Sequence, residues 1–180
     1  MITQRELAEY FRVAPEILDL VPQLLQDFDE LGSDSGLVVE WLRAEGVAGI
    51  ERRVLDLGCG KGAVAHAVAG ALGCRVDGVD ALPAFVDEAR RRAEERGLGD
   101  RCTFEVGDLR DTVTHARDYD AVLLVSVGVL GPAADMVAAC RRCIAPGGLI
   151  VLEDCYRRAP GSIDLSGYED LPSREQTLEQ

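Results

Sequence analysis

Basic residues are scarce in this 180-residue chain. Lys and Arg number 19 against 32 Asp and Glu, a formal net charge of −13 and a pI near 4.5. A non-specific grip on nucleic acid needs clustered cations to displace counterions from phosphates, and an anionic membrane surface asks for the same. Both roles are therefore disfavoured. No apolar run reaches the roughly 18–20 residues of a membrane-spanning helix. The first twelve residues lack the basic start and apolar stretch of a secretory signal. Histidine is nearly absent, with only His66 and His115. His66 reads as packing or surface, and His115, in a polar stretch, as solvated. Six cysteines (59, 74, 102, 140, 143 and 155) are scattered through mostly apolar segments. They do not make the disulfide framework of a small secreted domain, and they predict reduced thiols in a cytoplasmic protein. Cys140-Arg141-Arg142-Cys143 has no second ligand pair nearby, so it reads as core rather than as a metal or redox motif.

What is present is a hydrophobic content of 47%, enough for one domain with a sizeable core. Residues 1–50 read as a helical cap. Arg5 to Phe11 is a short turn or helix. A second helix starts at Pro15 and is kinked or split by Pro22. A third carries Leu37, Val38, Trp41 and Leu42 after the break at 32–36, with Trp41 expected in the core. From residue 51 the period changes. Short apolar runs at Arg53–Leu57, Cys74–Asp80, Cys102–Val106, Tyr119–Val127 and Leu149–Asp154 read as strands. Ala63–Leu72, Pro83–Gly97 and Ala133–Cys143 read as helices, with Arg90-Arg91-Arg92 on an exposed face. Alternating strand and helix predict an α/β domain over 51–180, an open parallel sheet with helices on both faces. Residues 158–166 read as loop and 174–180 as the start of another helix.

In such a sheet, ligands bind beyond the carboxyl ends of the strands, where strand order reverses. After the first strand stands Asp56-Leu57-Gly58-Cys59-Gly60-Lys61-Gly62. Glycines allow close backbone approach, and the helix start offers free N–H groups. Alone, this loop also satisfies the loose dinucleotide pattern. Asp56 beside it is awkward for a pyrophosphate and suits an ammonium group. Asp80, 24 residues on, is placed to accept both hydroxyls of a ribose, with Ala81 beside it. After the third strand, Asp108 can take the exocyclic amine of an adenine and Leu109 can pack on the ring. Pro146-Gly147-Gly148 forms a tight turn into the fifth strand.

Val54-Leu55-Asp56-Leu57-Gly58-Cys59-Gly60-Lys61-Gly62 resembles the glycine-rich first motif of class I S-adenosylmethionine-dependent methyltransferases. Asp80, Gly107-Asp108-Leu109 and Ala145-Pro146-Gly147-Gly148-Leu149 fall where that family has its second-strand acid, its adenine-contacting acid and its turn before the fifth strand. The resemblance covers about residues 50–155. It implies a Rossmann-like sheet of order 3-2-1-4-5 and S-adenosylmethionine as cofactor. It puts Asp56 near the methionine ammonium, with Gly58, Cys59 and Gly60 along the methionine and ribose, Asp80 and Ala81 at the ribose, Asp108 and Leu109 at the adenine, and Ser126 past the fourth strand. The family's sheet ends in an antiparallel hairpin that this sequence does not reach. The chain reads as truncated, with a fifth strand exposed for pairing in a possible homodimer.

Methyl transfer needs alignment more than a covalent group, and a base only where the nucleophile must lose a proton. Ser126, Glu153, Asp154, Cys155 and Tyr156 follow the last strands, and Tyr10 and Phe11 stand on the amino-terminal side. Asp154 is the residue expected for substrate contact or base, and Tyr10 and Tyr156 for the acceptor. The segment after the fourth strand, Val125-Ser126-Val127-Gly128, lacks the Asp/Asn-Pro-Pro-Tyr/Phe motif of the family's members that methylate exocyclic amines of DNA bases or glutamine amides. A small-molecule acceptor is therefore expected. A dinucleotide-dependent oxidoreductase and a non-catalytic cofactor-binding module are the alternatives.

Overall fold

A computed structural model describes residues 2–153 of the chain; the expected site residues Asp154 and Tyr156 lie outside them. Five strands form one sheet in the order β3-β2-β1-β4-β5, with every pairing parallel. They are β1 (Arg53–Leu57), β2 (Arg75–Asp80), β3 (Cys102–Val106), β4 (Tyr119–Val125) and β5 (Ile144–Glu153). The central strands β1 and β4 are buried along nearly their whole length. That is why they read as continuous apolar runs rather than alternating ones.

Period-2 alternation sorts the strand residues between two cores. Val54, Val76, Phe104, Ala121, Leu123 and Val125 pack with helices α3 (Ser35–Ala44), α4 (Ala63–Leu72) and α5 (Pro83–Glu95). Leu55, Leu57, Val79, Val122 and Leu124 pack on the other face with α6 (Leu109–His115) and α7 (Ala133–Cys140). Helix α6 was not foreseen. It is short and polar, and the Asp108 side chain caps it by accepting from the Arg110 amide. Cys140 and Cys143 are both buried in the second core. No helix among the described residues is long and apolar enough to cross a membrane.

Trp41 is a correction. It is 41% exposed, because α3 turns Val38, Val39 and Leu42 onto the sheet and leaves Leu37 and Trp41 on its outer side. Arg92 is another. It does not lie outside but is mostly covered, pairing with Glu88 and Asp29. At β5, the expected turn at 146–148 is an irregularity within the strand. Ile144 pairs with Tyr119 and Leu149 with Ala121. A side chain at Gly148 would press on the Tyr119 and Asp120 carbonyls, so only glycine passes there.

Helix α3 packs on the main core. The elements before it do not: α1 (Gln4–Phe11), the 3₁₀ helix Pro15–Leu20 and α2 (Val21–Leu24) gather with Leu82 and Phe85 at the start of α5. Pro22 splits this stretch, as expected, by sitting in the first turn of α2. The result is a small apolar cluster above the carboxyl ends of β1 and β2.

The opposite end of the sheet is tied by a polar cluster. Asp77 accepts from the Tyr119 hydroxyl (2.8 Å) and Arg53 (3.1 Å), and the Arg53 guanidinium lies 4.4 Å from the centre of the Tyr119 ring. Tyr119→Phe leaves the ring in place and removes one hydrogen bond, so it should lower unfolding free energy by about 1 kcal/mol. Urea denaturation measures this, and ligand binding at the far end should not change.

Candidate functional site

Strand order reverses between β1 and β4, and the glycine loop stands at that point. Gly58 and Gly62 both have φ of +78°, which L side chains rarely adopt. Space is equally restrictive: a Cβ on Gly58 would lie 2.4 Å from Val127 Cγ2, and one on Gly62 would lie 2.7 Å from the His66 ring. His66 is buried behind the loop, with Nε2 placed 3.0 Å from the Ala89 carbonyl. It is a packing residue.

The Asp80 carboxylate fixes the loop. One oxygen accepts from the Gly60 amide and the other from the Leu82 amide, both at 2.9 Å. Burial raises its pKa, and those backbone amides hold the rise in check. Asp56 is deeper, 3% exposed, and its Oδ2 has no hydrogen-bond partner. Burial and the nearby charge of Asp80 raise its pKa to about 7, while the Ala65 amide pulls the other way. A carboxyl in that state either keeps its proton or acquires a cationic partner.

Asp108 is buried at 7% exposure, and the Arg110 side chain donates to both of its oxygens, at 3.0 Å to Oδ1 and 2.8 Å to Oδ2. That pairing lowers the Asp108 pKa. The same guanidinium reaches 3.0 Å to Glu6 on α1. Arg110 thus links the carboxyl end of β3 to the amino-terminal helix. Helix α1 is itself well started: the Thr3 hydroxyl accepts from the Glu6 amide, and the Glu6 carboxylate accepts from the Thr3 amide. A second contact, at 3.5 Å, runs from the Tyr10 hydroxyl to the Ser126 carbonyl. Ser126 directly follows β4 with φ of +58°, a strained value for serine. The Glu153 carbonyl accepts from its amide, and the Gly32 carbonyl from its hydroxyl, both at 2.9 Å.

These elements enclose two neighbouring cavities that share Tyr10, Phe11, Gly58, Asp80 and Val127. The larger, about 270 Å³, is lined by Asp80, Ala81, Asp108 and Leu109 below and by Glu6, Tyr10 and Phe11 of α1 above. The smaller, about 100 Å³, is lined by Asp56, Gly58, Cys59, Gly60 and Ser126, with Leu31 opposite. So the cofactor candidates named from sequence line one cleft, together with Tyr10. Glu153 is half-buried, and its Oε2 has no partner among the described residues, but it lines neither cavity.

Sequence reasoning did not single out Glu6, Arg110, Leu31 or Val127. For Glu6 a signal existed, the Thr3-x-x-Glu6 capping box. For the others the relevant contacts are tertiary and leave no local pattern.

Residues 54–148, more than half of the chain, match a family described as a methyltransferase domain. A ubiquinone biosynthesis O-methyltransferase of Methylocella silvestris is 37% identical over 100 residues, which is 54% of this chain and 38% of that protein. A geranyl diphosphate 2-C-methyltransferase of Saccharopolyspora erythraea is 30% identical over 125 residues, 69% of this chain and 41% of that protein. The chain therefore spans about two fifths of the length of these relatives. Among solved structures, an S-adenosylmethionine-dependent methyltransferase from Geobacter sulfurreducens, in complex with S-adenosyl-L-homocysteine, superposes with a TM-score of 0.62 at 26% identity. It covers 73% of this chain and 53% of that one. With a sheet of order 3-2-1-4-5 and an acid at the carboxyl end of each of its first three strands, the chain belongs to the class I S-adenosylmethionine-dependent methyltransferase family.

Proposed function

We propose that this chain binds S-adenosylmethionine along the joined cavities and transfers its methyl group to a small-molecule acceptor. The observation that carries this reading is the buried, unpartnered Oδ2 of Asp56 at one end of a cleft that has Asp80 where the two cavities join and Asp108 at the other end. An acceptor for an ammonium, one for a diol and one for an exocyclic amine lie in that order. This is the polarity of an amino-acid–nucleoside conjugate rather than of a dinucleotide with its pyrophosphate. When bound, the cofactor supplies an electrophilic sulfonium methyl.

In this reading Asp56 holds the ammonium, with Cys59 and the glycine backbone beside it. Asp80 accepts from the ribose hydroxyls next to Ala81. Asp108 accepts from the adenine amine and Leu109 packs on the ring. Ser126 faces the methionine end. Tyr10 and Phe11 exclude water from above, and alignment in that enclosed space supplies most of the rate. We assign acceptor contact to Tyr10 and Tyr156 and, where the nucleophile has a proton to lose, the base role to Asp154. A small acceptor is supported by the relatives named above and by the acidic charge of the chain. Among the described residues β5 pairs with β4 alone, and its outer edge is the surface we assign to a homodimer.

Calorimetric titration with S-adenosylhomocysteine tests the reading. The expected result is one site per chain with a dissociation constant in the roughly micromolar range. Tighter binding of NAD(H) than of S-adenosylhomocysteine would overturn it.

A further inference from the structure

Lys61 is the only lysine in the chain, and it is not turned to solvent. It sits inside the glycine loop at 4% exposure. Its ammonium donates to three carbonyls: Leu25 at 2.5 Å, Gln26 at 3.2 Å and Phe28 at 2.5 Å. An ammonium has three N–H donors, and all three are used. The carbonyls belong to Leu25, which caps the end of α2, and to the turn after it.

The same stretch is fastened at two further points. Arg92 on α5 pairs with Asp29 at 2.7 Å, and the Ser126 hydroxyl donates to the Gly32 carbonyl at 2.9 Å. Between them Leu31 lies over Gly60, with its Cδ1 only 3.1 Å from where a Cβ would stand. Asp29, Leu31 and Ser33 line the smaller cavity opposite Asp56 and Gly60. Residues 25–33 are thus the outer wall of that cavity. Apolar burial secures this wall only through Leu25 and Leu31, half-buried against the small cluster at the start of α5, while Phe28 is 59% exposed. The rest of its attachment is polar and centres on Lys61.

We propose that Lys61 is a positioning residue that clasps residues 25–33 over the smaller cavity and so sets how fast the bound cofactor escapes. The inference rests on the cofactor reading above. Lys61 touches the wall, not the reacting atoms. The Leu25 carbonyl also accepts from the Phe28 amide at 3.2 Å, but without the ammonium the Gln26 and Phe28 carbonyls regain partners by lifting toward water, which opens the cavity.

Two measurements on the full chain test this. In the ligand-free protein, Lys61→Met should speed amide hydrogen exchange by about tenfold or more in residues 25–33 and leave β1–β5 unchanged. With ligand, it should raise the dissociation rate of S-adenosylhomocysteine by at least about tenfold, and Lys61→Arg should recover most of that loss. A folded Lys61→Met chain that releases the ligand within about twofold of the wild-type rate, or whose faster exchange spreads through the sheet, overturns the clasp. Should Lys61→Met fail to fold, the wild type supplies its own probe. Its one side-chain amine can be acetylated with an N-hydroxysuccinimide ester and followed by mass spectrometry. Saturating S-adenosylhomocysteine should slow that labelling by about tenfold, because a clasp that opens to release ligand is held shut by it. Equal labelling with and without ligand counts against the proposal. If the wild type binds no S-adenosylhomocysteine, the cofactor reading falls and the cofactor gate with it. A localised exchange effect would then mark Lys61 as a structural tie only.

Discussion

Asp80→Ala should weaken S-adenosylhomocysteine binding by about 100-fold, because this one carboxylate serves both the ligand and the loop. Its two oxygens hold the Gly60 and Leu82 amides, and both remain available, through their further lone pairs, to a diol. A hydrogen bond to a charged group contributes about 1.5–3 kcal/mol, and a hundredfold change in affinity corresponds to roughly 2.7 kcal/mol. Losing the ribose acceptor alone supplies most of that. Release of Gly60, whose amide then lacks its partner, adds to it. Asp80→Asn keeps one acceptor oxygen and should fall between, at about tenfold. Calorimetry reads the affinities, and thermal melting of the ligand-free variants confirms that the domain remains folded. Unchanged affinity in a folded Asp80→Ala chain would mean that the cleft is not the cofactor site.

The sheet was legible from sequence because its strands are short apolar runs separated by helices, and the reversal between β1 and β4 follows from the family resemblance carried by the loop. The acids at the strand ends were legible for the same reason. Other features were not, and each failure has a physical cause. The sequence shows Asp108 only as an adenine-contacting acid, yet it also caps α6, a helix too short and polar to show a periodic face. Leu37 and Trp41 share one side of α3, and their spacing suggested the buried side. The helix instead buries Val38, Val39 and Leu42, the neighbouring stripe. The placement of α1 over the cleft brings Glu6 to Arg110 across 104 residues of sequence. No local pattern encodes that contact. The exposed pair itself contributes little stability, so its part is to orient α1 rather than to hold the fold.

The strongest pH dependence should come from Asp56. Its pKa rises from 3.8 to about 7 in the folded chain, so the sign of its effect on stability is inverted relative to a salt-bridged acid. Between about pH 4 and 7 the folded state keeps a proton that the unfolded state has released, and stability falls as pH rises. Above pH 7 the folded chain carries a buried carboxylate without a partner on Oδ2. Ligand-free Asp56→Asn should therefore be more stable than wild type at pH 8, by on the order of 2–4 kcal/mol. That advantage should shrink through pH 7 and vanish near pH 4. A ligand ammonium reverses the balance, since it pairs with the ionised form. Wild-type affinity for S-adenosylhomocysteine should weaken by about tenfold per pH unit below 7 and level off above it, as binding releases the Asp56 proton. In Asp56→Asn the affinity at pH 8 should drop by about 100-fold or more, and this slope should disappear. Any slope that remains at lower pH reports Asp80, whose own pKa is raised by burial. Calorimetry from pH 5.5 to 8.5 separates the two carboxyls. A wild-type profile flat through pH 7, beside an Asn variant that binds equally well, would remove Asp56 from the site.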